Sequence, residues 1–198
     1  MQLITFKRGK MKLKYTFQII ALSLIASQLC MAGTIKGKVS PGTSVVYLEG
    51  AAPQPVDKTV TMDQRGLMFQ PHVLVIQVGT TIEFQNSDKV QHNVFWPSIS
   101  GDKKKGHNMG TWPEGQKRSF KFTETGVLTL LCNVHPEMAA FVIVSPSPHF
   151  AETDAAGDYT LANVPDGPYT ITAWHEGKKV QSKKITVSGD STVDFTLQ

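Results

Sequence analysis

Alternation of apolar and polar residues at every second position is the feature that most restricts how this chain can fold. It runs through residues 74–78 and 82–84 and returns at 120–122 and 128–132. Such a pattern is typical of β-strands with one face in a core. The 16 glycines and 11 prolines favour short strands joined by many turns, and no segment beyond residue 32 requires an α-helix. We therefore predict an all-β protein.

Two proline-rich segments, 52–55 and 145–148, divide the predicted strands into an inner and an outer group. The inner strands form one compact β unit over residues 57–147. Two short strands precede it, in 33–56, and four more follow it, in 148–198. About fifty residues are few for an independent domain. We therefore expect the two outer parts to form one discontinuous β-sandwich that carries the inner unit as an insertion in a loop.

The first 32 residues have the composition of an export signal. Basic residues without any acidic residue come first, an apolar run follows at 17–26, and Cys30-Met31-Ala32 offers a cleavage site after Ala32. The apolar run is too short to favour a membrane-spanning helix. Translation could begin at Met1 or at Met11. A start at Met11 would give a signal of ordinary length. The pattern predicts an exported protein without a membrane span after cleavage.

Removal of this signal changes both the charge and the cysteine content. The chain has 20 basic and 16 acidic residues, and five of the basic ones lie in the signal, so 15 basic and 16 acidic residues remain. This balance does not indicate a nucleic-acid partner. Cys30 leaves with the signal, and Cys132 is then a single thiol in an oxidising compartment. Metal ligation would protect such a thiol.

Three metal donors lie close together at the end of a predicted strand: Cys132, His135 and Met138. Cys132 has the inward parity of the strand before it, and the other two lie in the loop that follows. His92, about forty residues upstream, completes the set. Two imidazoles, one thiolate and a weak axial thioether hold copper for electron transfer, because thiolate suits Cu(I) and imidazole suits both oxidation states. Four protein donors leave no open position, so we expect one type 1 copper ion and no enzymatic activity.

The surroundings of this site follow from strand direction. The predicted hairpin partner of the cysteine strand, 118–123, runs away from the copper end, so the residues just before it are expected near that end. On this hypothesis Trp112 and Met109 flank the site and shape a docking face around His135. A second, weaker copper site at His107 and Met109 stays open as an alternative, because both side chains are donors.

The inner segment resembles the cupredoxins, the blue-copper family that includes plastocyanin, azurin and amicyanin. The resemblance rests on Phe69-Gln70-Pro71, residues 78–84, His92-Asn93-Val94 and the ligand loop, whose Cys-x-x-His-Pro-x-Met spacing is that of amicyanin. The chain beyond the signal also resembles plastocyanin-like or methylamine-utilisation proteins. Its outer strands are similar to the transthyretin-like regulatory sandwich of carboxypeptidases, although no zinc-peptidase motif accompanies them.

The resemblance implies a Greek-key cupredoxin sandwich and a role for each matching residue. Asn93 would tie the two ligand loops together and donate a hydrogen bond toward the cysteine sulfur. Electrons would pass through His135 to or from a transient redox partner, such as a dehydrogenase or a cytochrome c-like protein, in the periplasm. Glu137 stands where the family has an apolar residue, so the partner's identity is not carried over. The copper ligands implied are His92, Cys132, His135 and Met138.

Three other functions remain as alternatives. The first is a copper-delivery or copper-sensing module without electron transfer, which would exchange its metal readily. The second is a thiol enzyme using Cys132 and His135, which leaves Met138 unexplained. The third is a purely structural pair of sandwiches, which requires the four donors to be accidental. His72, His149 and His175 are expected to be structural or simply exposed.

Overall fold

The computed structural model describes residues 32–41, 43–50 and 54–198, and within them the chain is almost entirely β. The predicted export signal lies outside these residues except for Ala32, which begins the first strand. One 3-10 turn, Lys103–Lys105, follows β7. The strands in chain order are β1 (Ala32–Ser40), β2 (Val45–Glu49), β3 (Thr59–Gln64), β4 (Phe69–Gln70), β5 (Val73–Gln77), β6 (Thr81–Asn86), β7 (His92–Trp96), β8 (His107–Trp112), β9 (Lys117–Lys121), β10 (Gly126–Leu131), β11 (Ala139–Ser145), β12 (Phe150–Glu152), β13 (Asp158–Pro165), β14 (Gly167–Trp174), β15 (Gln181–Val187), β16 (Ser191–Thr192) and β17 (Phe195–Thr196).

The inner strands form two sheets around one core. One sheet has the order β5-β11-β10-β7-β8 and the other the order β4-β3-β6-β9. In β6 the predicted alternation is confirmed, since every second residue is buried. The residues buried between the sheets include Met62, Ile82, Phe84, Val94, Leu128, Leu130 and Val142.

The outer strands form a second, discontinuous sandwich. β1 pairs with β13, β16 and β17, while β2 lies between β12 and β14 in a sheet that ends with β15. The two strands that precede the inner unit therefore pair with strands that follow it, as in Leu48 opposite Ile171. Ile35, Leu161 and Val187 belong to the core of this sandwich. The prediction of two β-sandwiches, one of them discontinuous, is confirmed.

The two sandwiches are joined by an apolar contact on the outer side of β11. Val142 and Val144 face the inner core, so Ile143 between them points outward, where it packs with Val45 and Trp174. Burial on both faces explains why β11 is apolar almost throughout instead of alternating. The outer sandwich thus packs against β11, the strand that directly follows the ligand loop. No helix among the described residues is long and apolar enough to cross a membrane.

Candidate metal centre

Neighbouring strands bring His92 and Cys132 to the same end of the inner sandwich. His92 is the first residue of β7, and Cys132 directly follows β10, which pairs antiparallel with β7. Both side chains are withdrawn from solvent, with exposed fractions of 0% and 3%. The inward orientation predicted for Cys132 from strand parity is confirmed, because Leu128 and Leu130 are buried beside it.

Three donor side chains converge on one point. The ligand atoms of His92, Cys132 and His135 all lie within 4.8 Å of one another. Nδ1 of His92 and Nδ1 of His135 are 3.0 Å apart. Transition-metal bonds of about 2.0–2.1 Å to imidazole nitrogen and about 2.3 Å to thiolate, as measured for zinc, fit one ion among donors at this spacing. The soft thiolate with two imidazoles is a donor set that suits copper.

The loop after Cys132 turns back on itself at the fourth predicted donor. The backbone N–H of Met138 donates to the carbonyl of His135 over 3.0 Å, and Met138 packs in the same buried cluster as Cys132. His135 itself is only partly buried, and its neighbours Val134 and Pro136 are exposed. Of the two histidines, His135 is therefore the one that reaches the surface.

Asn93 holds the two ligand segments together. Its backbone N–H donates to Sγ of Cys132 over 3.3 Å, and its Oδ1 accepts from the backbone N–H of Asn133 over 3.2 Å. Its Nδ2 donates to Oδ1 of Asn108 and to the carbonyl of Gly110. A hydrogen bond to the sulfur stabilises a thiolate, so these contacts are the ones that the cupredoxin resemblance implied.

Asp88 orients the buried histidine. Its Oδ2 lies 2.9 Å from Nε2 of His92, and its two oxygens accept the backbone N–H groups of Gly66 and Leu67 over 2.7 and 2.9 Å. Burial acts to raise the pKa of Asp88, but the hydrogen bonds from Leu67, Gly66 and His92 together lower it below its usual value. With Nε2–H directed at the carboxylate, Nδ1 of His92 is left to accept a metal. An acidic residue four positions before a ligand histidine is the only sequence signal of this role.

Trp112 lies where strand direction placed it but does not do what was expected. It is the cross-strand partner of His92, yet only 1% of it is exposed. The prediction that Trp112 shapes a docking face is therefore wrong, because it lies on the core face of β8. The guanidinium of Arg118 covers its ring, with Cζ 5.0 Å from the ring centroid. Met109 is partly buried against the same core.

The other histidines lie apart from the three converging donors. His107 pairs with Trp96, at the opposite end of β7 from His92, and its ring packs against Phe120. Among the described residues, His92, Cys132 and His135 form the one cluster of three or more His, Cys, Asp or Glu donors. His72 pairs with Glu176 over 2.6 Å. Burial lowers the pKa of His149.

Comparison with known families decides the class of the inner sandwich. Residues 56–145 match the family model of copper binding proteins of the plastocyanin/azurin family. The inner sandwich is a cupredoxin domain. Residues 136–198 match the carboxypeptidase regulatory-like domain, so the match begins within the ligand loop and continues through the outer strands. No curated protein matches the chain.

Solved structures similar to the cupredoxin domain include several copper proteins. A methionine-to-alanine mutant of amicyanin in the Cu(I) form is 21% identical, covers 50% of this chain and 98% of its own, and has a TM-score of 0.41. A purple cupredoxin from Nitrosopumilus maritimus is 27% identical over 43% of this chain and 98% of its own, with a TM-score of 0.38. A copper-containing nitrite reductase from Thermus scotoductus is 28% identical over 48% of this chain but 23% of its own, with a TM-score of 0.40.

Proposed function

We propose that this protein is an exported electron carrier with one type 1 copper ion. The proposed ligands are His92, Cys132, His135 and Met138. The observation that carries the proposal is the convergence of two imidazole nitrogens and one thiol within 4.8 Å in a copper-binding domain. Bound copper supplies one-electron exchange between its +1 and +2 states.

The surrounding residues prepare the donors for this role. Cys132 must bind as a thiolate, and the N–H of Asn93 stabilises negative charge on its sulfur. Asp88 fixes the ring of His92 through Nε2. Because these contacts restrain His92 and Cys132, a change of oxidation state would require little rearrangement, which favours electron transfer.

His135 is the proposed point of electron entry and exit. His92 is fully buried, whereas His135 is partly exposed between Val134 and Pro136. The adjacent apolar side chain Val134 is 47% exposed. A redox protein can therefore bring its own centre close to the His135 ring by docking on a small apolar face, in a weak and transient complex.

The visible spectrum of the purified chain from residue 33 onward, with Cu(II) added, tests the proposal. We expect an intense blue absorption band from thiolate-to-copper charge transfer, and we expect Cys132→Ser to lose it. Met138→Leu should keep the band, because the thioether is the weak donor. A colourless protein, or copper binding unaffected by Cys132→Ser, would contradict the proposal.

Copper delivery or sensing is the second candidate, and one contact favours it. β11 begins directly after Met138 and also carries Ile143, which packs against the outer sandwich. Metal loading could therefore stiffen the contact between the sandwiches. The two functions differ in exchange kinetics. A carrier retains its copper against a chelator while exchanging electrons rapidly, whereas a delivery protein releases copper and exchanges electrons slowly.

A further inference from the structure

The turn between β3 and β4 displays two apolar side chains in an unusual backbone conformation. Leu67 and Met68 are 42% and 56% exposed. Gly66 and Leu67 have φ values of +62° and +59°, and the N–H of Arg65 donates to the carbonyl of Met68 across the turn. The left-handed region suits glycine or asparagine and is unfavourable for leucine. Folding alone does not explain a leucine that is both strained and exposed.

One carboxylate connects this turn to the buried copper ligand. Oδ1 of Asp88 accepts the N–H of Gly66, while its Oδ2 accepts the N–H of Leu67 and lies 2.9 Å from Nε2 of His92. The same oxygen thus contacts both the turn and the imidazole. A displacement of the turn must move this oxygen or lengthen its hydrogen bonds. His92 has no exposed surface, so the turn offers an indirect route by which a partner can act on it.

We infer that the turn 65–68 is a partner contact that couples docking to His92 through Asp88. The inference rests on the proposed electron-carrier function. A partner pressing on Leu67 and Met68 changes the hydrogen bond from Nε2 of His92 to Asp88. That hydrogen bond sets how strongly the imidazole donates to a metal at Nδ1. Docking therefore shifts the reduction potential of the site.

The charges beside the turn indicate the chemistry of the partner. Arg65 precedes the apolar pair and is largely exposed, although it also pairs with Asp63 over 3.3 Å. Lys89 follows Asp88 and is exposed. An apolar face rimmed by carboxylates fits both features, because burial of Leu67 and Met68 would be accompanied by favourable charge contacts at the edge.

A gold electrode coated with a methyl-terminated alkanethiol monolayer serves as an apolar partner, and a hydroxyl-terminated monolayer serves as its polar control. The midpoint potential is measured first in solution and then for adsorbed protein, with adsorbed mass followed on a quartz microbalance for both the copper-free and the copper-loaded protein. We expect a shifted potential on the methyl surface and none on the hydroxyl surface.

Three variants test separately whether the turn 65–68 makes the contact and whether Asp88 transmits its effect to His92. The double variant Leu67→Asn, Met68→Ser keeps a backbone suited to the turn, and we expect at least a fivefold loss of adsorbed mass. Asp88→Asn keeps Leu67 and Met68, so it should still adsorb to the methyl surface, but it should lose at least half of the potential shift. Val180→Ser, which changes a side chain that is 43% exposed elsewhere, is the matched control and should behave as wild type.

The outcomes distinguish this inference from the function on which it rests. Absence of a reversible copper signal in solution overturns the electron-carrier function. If the copper signal in solution is normal, the electron-carrier function stands and only the inference is at risk. The inference is overturned if the wild type adsorbs without a shift in potential, if the double variant adsorbs as well as the wild type, or if Asp88→Asn retains the full shift.

Discussion

Oδ2 of Asp88 lies 2.9 Å from Nε2 of His92, so the two ring nitrogens of this histidine have different partners. Nε2 faces the carboxylate, while Nδ1 faces His135 at 3.0 Å. The carboxylate is itself held by backbone N–H groups from the turn after β3. The carboxylate therefore fixes the orientation of the buried imidazole, as in carboxylate–histidine–metal sites.

Replacement of Asp88 by asparagine should weaken copper binding. A single amide oxygen cannot accept from His92, Gly66 and Leu67 at once, so the imidazole loses orientation. We expect copper affinity to fall by about 10- to 100-fold, measured by competition with a chelator of known affinity. Asp57→Asn is the matched control, since Asp57 is almost fully exposed and pairs with Lys121, away from His92 in the sequence. Equal affinities for the two variants would contradict the assigned role.

Replacement of Asn93 by alanine should lower the free energy of unfolding of the cupredoxin domain but change its blue absorption little. The side chain makes three hydrogen bonds, to Asn133, Asn108 and Gly110, whereas the bond to Cys132 comes from the backbone and survives. At about 1 kcal/mol for each bond, the free energy of unfolding should fall by about 2–3 kcal/mol.

Denaturant unfolding of the copper-free protein measures this loss. Asn133→Ala is the control, because Asn133 contributes its backbone N–H and not its side chain to the contact with Asn93. A loss as small as that of Asn133→Ala would contradict the prediction.

Replacement of Ile143 by alanine should loosen the contact between the two sandwiches. Ile143 is fully buried against Val45 and Trp174, and its removal leaves a cavity that costs about 2–5 kcal/mol. Because Val142 and Val144 still face the inner core, the blue absorption should be unchanged. Calorimetry of the copper-free protein should show one transition in the wild type and a broader or divided transition in the variant. A single, unshifted transition would show that the contact contributes little.

Alkaline pH should destabilise the folded chain through Tyr47. Burial, together with the nearby charge of Glu49, raises the pKa of Tyr47 from 10 to about 12. The unfolded chain ionises this phenol near pH 10, so its stabilising contribution is complete below that pH and is lost as pH rises toward 12. The free energy of unfolding should decline by about 1.4 kcal/mol for each pH unit in this window.

Urea unfolding at pH 8, 10 and 11 measures the slope. Tyr47→Phe should reduce the slope without removing it, because burial also raises the pKa of Tyr159. An unchanged slope in Tyr47→Phe would contradict the assignment to Tyr47.

The strands and the candidate donors of the ligand loop could be predicted because both depend on local relationships. Alternation placed Cys132 inward, and the three-residue steps to His135 and Met138 kept those donors in one loop. The pairing of β1 and β2 with strands more than a hundred residues later followed only from the argument that each outer part was too small to fold alone. The fold class and the candidate donors of the ligand loop were thus predictable from sequence.

Tertiary structure alone decided what surrounds the donors. The C-terminal ends of β3 and β6 meet because the two strands pair in parallel, with Gln64 beside Asn86. That pairing brings the turn 65–68 to Asp88, about twenty positions away in sequence, and leaves Leu67 exposed. Likewise, sheet packing turned Trp112 into the core. Sequence alone identified the candidate donors Cys132, His135 and Met138, because spacing and parity are local. Sheet order determined their supports and exposed neighbours, because those contacts join segments that local patterns cannot relate.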